Sequence, residues 1–191
     1  MYVKQKIDQF TKDLMQAAGG HILYYIHNEE IYIENTVAYI VSGVEQGDRV
    51  FVIENERLSP AIVSKTKQLL TKEQFAKVHF INNFDFYSLH GEFNSMKITD
   101  YFSSIVNPYI EAKDSIRTWA HVEWGKVNDV IKTIGEYEMN ANKTVSEMGI
   151  ISVCAYDAER VPEELKENLM INHDFFMTDN DILDLSNAEV K

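Results

Sequence analysis

One stretch constrains the fold more than any other, because residues 20–55 contain a strand, a helix and a second strand in succession. A short apolar and aromatic run covers residues 21–26, and a second one covers residues 49–53. Between them the apolar residues repeat at helical spacing, at Ile33, Val37, Ile40, Val41 and Val44. Two apolar strands joined by a helix form a βαβ unit, so we expect these strands to lie parallel and adjacent.

The first strand is followed by acidic residues instead of glycines. Many α/β folds have a glycine-rich phosphate loop there, whereas this chain has His27-Asn28-Glu29-Glu30. Ligands of such sheets bind outside the carboxyl ends of the strands. The other strand ends are also acidic, amide-bearing or aromatic: Glu54-Asn55, Asn82-Asn83, Glu123-Trp124 and Tyr156-Asp157. We expect them to form one rim that holds a metal, a cationic ligand or a basic partner surface, or that is simply solvated.

Strands and helices continue to alternate along the rest of the chain. Further strands are predicted at residues 78–81, 115–124 and 150–156, with a loop-like aromatic insert at 84–95 and a long helix at about 127–145. Residues 175–185 are predicted to form a terminal hairpin or an edge strand. The pattern predicts an α/β fold with three layers, a mostly parallel sheet and helices on both faces. We expect residues 1–18 to form a helix at an edge or dimer contact, and residues 19–191 a single domain.

The composition argues against several classes of partner. The formal net charge is −12, and no basic patch is evident, so we expect no binding to nucleic acid or to anionic membranes. A single cysteine excludes an internal disulfide framework and suits a reducing compartment. No apolar run has membrane-spanning length, and the charged N-terminus does not resemble a secretory signal. We therefore expect a cytoplasmic protein.

The strand SIRTWAHVEW carries unusual side chains for the middle of a parallel sheet. Its alternate positions are Arg117, Trp119, His121 and Glu123, and these fall on one face because strand side chains alternate. Central parallel strands are normally apolar on both faces, so such groups need partners or a ligand. Two interpretations stay open: an internal ion pair between Arg117 and a carboxylate on the next helix, with His121 as a satisfied core histidine, or a pocket lined by Glu123.

Glu138 falls on the apolar stripe of the following helix. A buried glutamate is costly unless it is paired, and Arg117 is a candidate partner. The alternative is that Glu138 lies at the margin of a wide stripe.

No catalytic or metal-binding motif is recognisable. The sequence contains no HExxH, CxxC, GxSxG, Walker A or GxGxxG pattern, so we expect neither a metal nor a cofactor and do not expect an enzyme. The residues whose side chains could still ligate a metal without such a motif are His121, Glu123, Cys154 and His173. Cys154 lies in an apolar strand, where a thiol is usually only a small hydrophobe.

The chain resembles the MEDS domain family, the methanogen/methylotroph DcmR sensory domain. The resemblance covers about residues 19–180 and is carried by the segments HILYYI, SGVEQGDRVFVIEN, TWAHVEW and ISVCAYDAERVPEELKENLMINHDFFM. The residues at matching positions are His21, Gly43, Gly47, Arg117, Glu123, Glu138, Cys154, Ala155, Tyr156 and His173.

This resemblance implies a sensory or regulatory module with a RecA/KaiC-like α/β fold that has lost its phosphate loop. The family is proposed to sense small hydrocarbon derivatives and is often joined to DNA-binding or histidine-kinase segments. We expect no such output segment in a chain of this length, and we therefore expect it to signal to a separate protein.

We therefore predict a stand-alone sensor that binds a small ligand and signals to a kinase or transcription regulator. Glu123 and Trp119 would contact the ligand, and Arg117 and Glu138 would fix the pocket wall. The predicted ligand-binding residues are His21, Tyr24, Tyr25, Glu54, Arg117, Trp119, Glu123, Glu138 and Tyr156. Two alternatives are an interaction protein that docks through its acidic face without a ligand, and a hydrolase or lyase that uses His121 and Glu123 as an acid–base pair.

Overall fold

The computed structural model describes residues 2–16, 19–88, 93–125 and 129–185. Parts of three predicted segments lie outside the described residues: the end of the first helix, the middle of the aromatic insert and the beginning of the long helix. Among the described helices, none combines the length and the apolarity that crossing a bilayer requires.

Eight helices and seven strands are assigned in the described part of the chain. The helices are α1 (Tyr2–Gln16), α2 (Glu29–Glu45), α3 (Ser59–Leu69), α4 (Lys72–Phe75), α5 (Asn83–Tyr87), α6 (Ser95–Glu111), α7 (Val130–Met148) and α8 (Glu163–Ile171). The strands are β1 (Gly20–Ile26), β2 (Arg49–Glu54), β3 (Val78–Asn82), β4 (Ile116–His121), β5 (Ile151–Asp157), β6 (Phe175–Met177) and β7 (Ile182–Asp184).

The seven strands form one sheet in the order β3-β2-β4-β5-β1-β6-β7, and only β7 is antiparallel to its neighbour. The prediction of a mostly parallel sheet is confirmed. The prediction that β1 and β2 are adjacent is wrong, because β5 and β4 lie between them. The connection through α2 therefore crosses two intervening strands instead of none, and most of the 17 residues of α2 are buried.

Helices cover both faces of the sheet, as predicted. One face packs against α1, α2 and α3 around a core that contains Tyr24, Ile40, Ile62 and Trp119. The other face packs against α5, α6, α7 and α8 around a core that contains Leu23, Phe86, Tyr156 and Leu165. Strand residues alternate between the two cores, so the position of a residue in its strand decides which helices it meets.

The aromatic insert is not wholly a loop, in contrast to the prediction. Residues 83–87 form α5, whose first turn is capped by the Asn82 side chain accepting a hydrogen bond from the Asp85 N–H at 3.1 Å. This cap turns Phe86 and Tyr87 into the core, where both are buried. The terminal hairpin is confirmed, because β6 extends the sheet beside β1 and β7 pairs back on it.

The N-terminal helix packs within the same globule. Ile7 and Leu14 of α1 are buried in the core that α2 shares. The polar side of α1 also contacts α2, since the Ser42 hydroxyl donates a hydrogen bond to an Asp8 carboxylate oxygen at 3.0 Å.

Candidate functional site

The carboxyl edge of the sheet includes the short connection between β1 and α2. Only His27 and Asn28 separate the two elements, and the Asn28 side chain accepts a hydrogen bond from the Ile31 N–H at 3.1 Å. The chain therefore caps this helix N-terminus with its own side chain, at the place where a phosphate loop would otherwise present free N–H groups.

A buried hydrogen-bond chain connects α2 to this edge. The Trp119 indole N–H donates to the Tyr32 hydroxyl at 2.9 Å, and that hydroxyl donates to Glu54 Oε2 at 2.6 Å. The other oxygen of Glu54 lies 2.7 Å from His121 Nδ1. Tyr32 belongs to α2, whereas the other residues belong to β2 and β4. A shift of α2 would therefore disturb this whole series of hydrogen bonds.

The charge of Glu54 controls the ionisation of His121. Burial disfavours the imidazolium, but the hydrogen bond and the negative charge of Glu54 outweigh burial, so the pKa of His121 is raised above its ordinary value of 6.5.

Glu123 lies at the edge itself and faces a surface cleft. Its Oε2 accepts hydrogen bonds from the side-chain amides of Asn83 at 2.7 Å and Asn55 at 3.0 Å, and Arg160 Nη1 lies 3.5 Å from Oε1. Burial raises the pKa of Glu123, but these donors outweigh burial and the pKa is lowered. The carboxylate is therefore charged at neutral pH.

The cleft has a volume of about 540 Å³ and lies over the ends of β2, β3 and β4. Its lining includes Arg57, Asn83, Phe84, Glu123, Trp124 and Arg160. His121 is not part of this lining, because its ring turns toward Tyr32 and Glu54 beneath the edge. The geometry therefore does not support an acid–base pair of His121 and Glu123 acting in one cavity.

The predicted ion pair between Arg117 and Glu138 is wrong. Arg117 donates from Nε to Asp48 Oδ2 at 2.5 Å and from Nη2 to Gln46 Oε1 at 3.0 Å. Arg117 lies on the face of the sheet that α2 covers, whereas Glu138 belongs to α7 on the opposite face. The sheet separates the two residues.

Glu138 instead belongs to a fully buried polar cluster between the sheet and α7. His21, Cys154 and His173 surround its carboxylate, and Tyr156 donates a short hydrogen bond to Oε1. Burial lowers the pKa of His21 to about 4 and also lowers the pKa of His173, so both imidazoles are neutral at pH 7. Burial raises the pKa of Glu138 to about 7.

The structure thus divides the predicted ligand-binding residues into three groups. Tyr24, Glu54, Arg117 and Trp119 lie beneath α2, and His21, Tyr25, Glu138 and Tyr156 lie on the α7 and α8 side. Glu123 alone lines the open cleft. These residues are therefore not assembled around one pocket.

Residues 20–174 match the model of the MEDS family, which is described as the methanogen/methylotroph, DcmR sensory domain. The chain belongs to the MEDS family. No curated protein is significantly similar to it in sequence.

Solved structures show the fold of this MEDS domain. The KaiC-like protein PH0186 from Pyrococcus horikoshii OT3 is similar with a TM-score of 0.53 and 15% identity, over 84% of this chain and 70% of that chain. An ATPase domain of known structure is similar with a TM-score of 0.58 and 10% identity, over 84% and 69%. A DnaB-like replicative helicase is similar with a TM-score of 0.55 and 10% identity, over 84% of this chain and 46% of that chain. The predicted RecA/KaiC-like fold is confirmed.

Sequence reasoning missed some of the residues that build this MEDS domain. Asp48 was not identified as the partner of Arg117, although it is a lone carboxylate at the turn between α2 and β2. The assembly of His21, Glu138, Cys154 and His173 was also missed. All four stand at positions that match the family pattern, and all four have side chains that can ligate a metal. These two properties together are the sequence signal from which the cluster could have been predicted.

Proposed function

We propose that this MEDS domain senses a small polar molecule in the cleft at Glu123 and reports its presence to a separate signalling protein. The family supports a sensory role. The observation that carries the choice of site is the charged Glu123 carboxylate, which faces an open cleft at the carboxyl edge of the sheet. This is the edge where parallel α/β sheets bind their ligands.

The lining of the cleft favours a ligand with a hydrogen-bond donor or a positive charge. Within the described part of the chain, Glu123 Oε1 is contacted by Arg160 at the long distance of 3.5 Å, so a ligand amine or hydroxyl can approach this oxygen. Trp124 and Phe84 supply apolar surface around the carboxylate, and Phe84 is largely exposed. A small amine, amidine or alcohol with an apolar group matches these features.

A route for the signal runs from the cleft into the core. The Asn83 side chain that holds Glu123 also donates to the main-chain oxygen of His121 at 3.2 Å. His121 is joined through Glu54 to Tyr32 of α2. A ligand that draws Glu123 away from Asn83 would therefore act on the end of β4 and, through it, on α2. The signalling partner would respond to the changed position of these elements.

Thermal unfolding in the presence of small primary amines, amidines and alcohols tests this proposal. A compound that binds and is present at a free concentration of 100 times its Kd should stabilise the fold by about 2.7 kcal/mol, which is measurable as a higher Tm. Glu123→Gln should abolish the shift because it removes the charge while keeping the shape of the side chain.

The matched control is Glu164→Gln on the exposed first turn of α8, which should keep the wild-type shift. A shift that persists in Glu123→Gln would overturn the cleft as the site. If no compound shifts the wild-type Tm, the ligand-free docking function becomes the better account.

A further inference from the structure

Four side chains that commonly ligate transition metals converge in the core. They are His21 of β1, Glu138 of α7, Cys154 of β5 and His173, which follows α8. One ligand atom from each lies within 4.8 Å of all the others, and all four residues are buried. The cluster lies on the opposite face of the sheet from Glu54 and His121.

Both imidazoles are oriented so that Nε2 faces the centre of the cluster. His21 Nδ1 lies 2.9 Å from the Asn172 carbonyl oxygen, and His173 Nδ1 lies 2.6 Å from the Leu169 carbonyl oxygen. A carbonyl only accepts hydrogen bonds, so each Nδ1 carries the proton and each Nε2 presents a lone pair. Metal-ligating histidines are commonly held by this kind of backbone contact.

Two of the inward-facing atoms lack the donor they need, whereas His21 Nε2 lies within hydrogen-bond distance of the Cys154 sulfur at 3.3 Å. Nε2 of each histidine lies 3.5 Å from Glu138 Oε2, and neither contact is a hydrogen bond. Oε2 of Glu138 and Nε2 of His173 are both buried without a hydrogen-bond partner among the described residues. A proton on Glu138 would serve one of these acceptors at a time, whereas a cation would serve all of them.

We propose that His21, Glu138, Cys154 and His173 bind one late first-row transition-metal ion, with Zn²⁺ as the expected occupant. Thiolate and imidazole ligands select zinc-like ions over Mg²⁺ and Ca²⁺, which prefer all-oxygen sites. Binding displaces the thiol proton of Cys154 to solvent, so that the sulfur coordinates as thiolate.

The spacing of the ligand atoms agrees with a tetrahedral site. Zinc–nitrogen and zinc–sulfur bonds of about 2.0 and 2.3 Å place neighbouring ligand atoms roughly 3.3–3.6 Å apart. In the structure His21 Nε2 lies 3.3 Å from Cys154 Sγ, and both histidine nitrogens lie 3.5 Å from Glu138 Oε2. Small side-chain movements are enough to complete the site.

The Tyr156 hydroxyl orients the carboxylate ligand. The Tyr156 hydroxyl donates to Glu138 Oε1 and so leaves Oε2 directed at the histidines. Four protein ligands in a fully buried position leave no open place for substrate, which is typical of structural zinc sites. The ion would join β1, β5, α7 and the segment after α8, and this role does not depend on the cleft at Glu123.

Metal analysis of the wild-type chain, purified without chelator and dialysed after addition of Zn²⁺, tests the proposal directly. We expect about one zinc per chain and a Tm that falls when a strong chelator removes the metal. Replacement by Co²⁺ should give the visible absorption of tetrahedral cobalt together with a thiolate-to-cobalt charge-transfer band.

Variants separate this site from adventitious binding. Cys154→Ala should remove the charge-transfer band and weaken binding, and Tyr156→Phe should weaken metal affinity roughly 10–100-fold because it frees the ligand carboxylate. The control is His79→Asn, which removes a partly buried histidine outside the cluster and should leave both metal content and spectrum unchanged.

Two results would overturn the proposal. The first is a folded wild-type chain that retains no metal and whose Tm is insensitive to Zn²⁺ and chelator. The second is bound Co²⁺ without a thiolate band, which would place the ion elsewhere. The wild-type spectrum decides between these outcomes even if a variant fails to fold.

Discussion

Arg117 and Asp48 form an ion pair from which water is excluded, since the two side chains are 0% and 1% exposed. Two further polar atoms of the pair, Arg117 Nη1 and Asp48 Oδ1, have no hydrogen-bond partner among the described residues. Breaking such a pair from one side leaves a buried charge without compensation.

We therefore expect Asp48→Asn to lower the free energy of unfolding by about 3–5 kcal/mol. Urea denaturation of the variant and the wild type measures this difference.

The control is Asp114→Asn, which removes the other strand-anchored arginine–aspartate pair. Arg49 and Asp114 are about one-third exposed, so the loss should stay within about 1 kcal/mol. Equal losses in the two variants would contradict the interpretation of Arg117–Asp48 as a buried pair.

His121 should make stability depend on pH near neutrality. Its pKa is raised in the folded state by Glu54, with smaller contributions from Glu123 and Asp157, against the opposing effect of burial. A raised pKa contributes stability that is fully present below about 6.5 and is lost as the pH rises through the folded-state pKa. The difference in unfolding free energy between wild type and His121→Gln should therefore decrease as the pH is raised from about 6 upward.

Chemical denaturation at a series of pH values provides the measurement, with His27→Gln as the exposed control. A difference between wild type and His121→Gln that does not vary with pH would contradict the coupling of His121 to Glu54.

At the scale of elements, α2 approaches the sheet more closely than a side chain at Gly43 would allow. A Cβ at this position would lie 2.7 Å from Arg117 Cδ and 2.8 Å from Val50 Cγ2. Arg117 is fixed by Asp48 and cannot move aside. We expect Gly43→Ala to destabilise the fold by about 1–2 kcal/mol, because overpacking outweighs the gain of up to ~1 kcal/mol in helix propensity.

Gly135 of α7 provides a matched comparison for the same measurement, since it is also a buried helical glycine. The three atoms nearest to a Cβ there all belong to the side chain of Asn168, the nearest at 2.8 Å, and that side chain can rotate away. Gly135→Ala should therefore cost less than Gly43→Ala. The opposite order would show that the α2 contact is more compliant than its distances indicate.

At the scale of the whole molecule, the strands of the sheet differ in how deeply they are buried. The central strands β4 and β5 are buried along nearly their full length, whereas β7 has three residues and is exposed at the edge. Native-state hydrogen exchange should show β4 and β5 amides exchanging only through global unfolding and β7 amides exchanging through local opening. Equal protection of β7 and β5 would contradict this ranking.

The sequence predicted the elements of this fold better than their arrangement. Hydrophobic period and strand length identified β1, α2 and β2, because these signals are local. The position of β4 and β5 between β1 and β2 is not local, since any two parallel strands of similar composition can pair. The same limit explains the wrong partner for Glu138, because the face that α7 covers depends on the strand order. Glu123 could be located from its strand end, whereas the buried cluster joins four distant segments without a recognisable spacing.

The strand order also has a consequence for how the chain is made. The neighbours of β1 are β5 and β6, which follow it by more than a hundred residues. The apolar β1 therefore leaves the ribosome long before either neighbour exists and has to remain unpaired meanwhile. Contacts this distant in sequence slow folding, because a large loop must close before they form. The sheet therefore cannot be completed before β5 and β6 have been synthesised, and during that interval the unpaired β1 is exposed to aggregation and to chaperones.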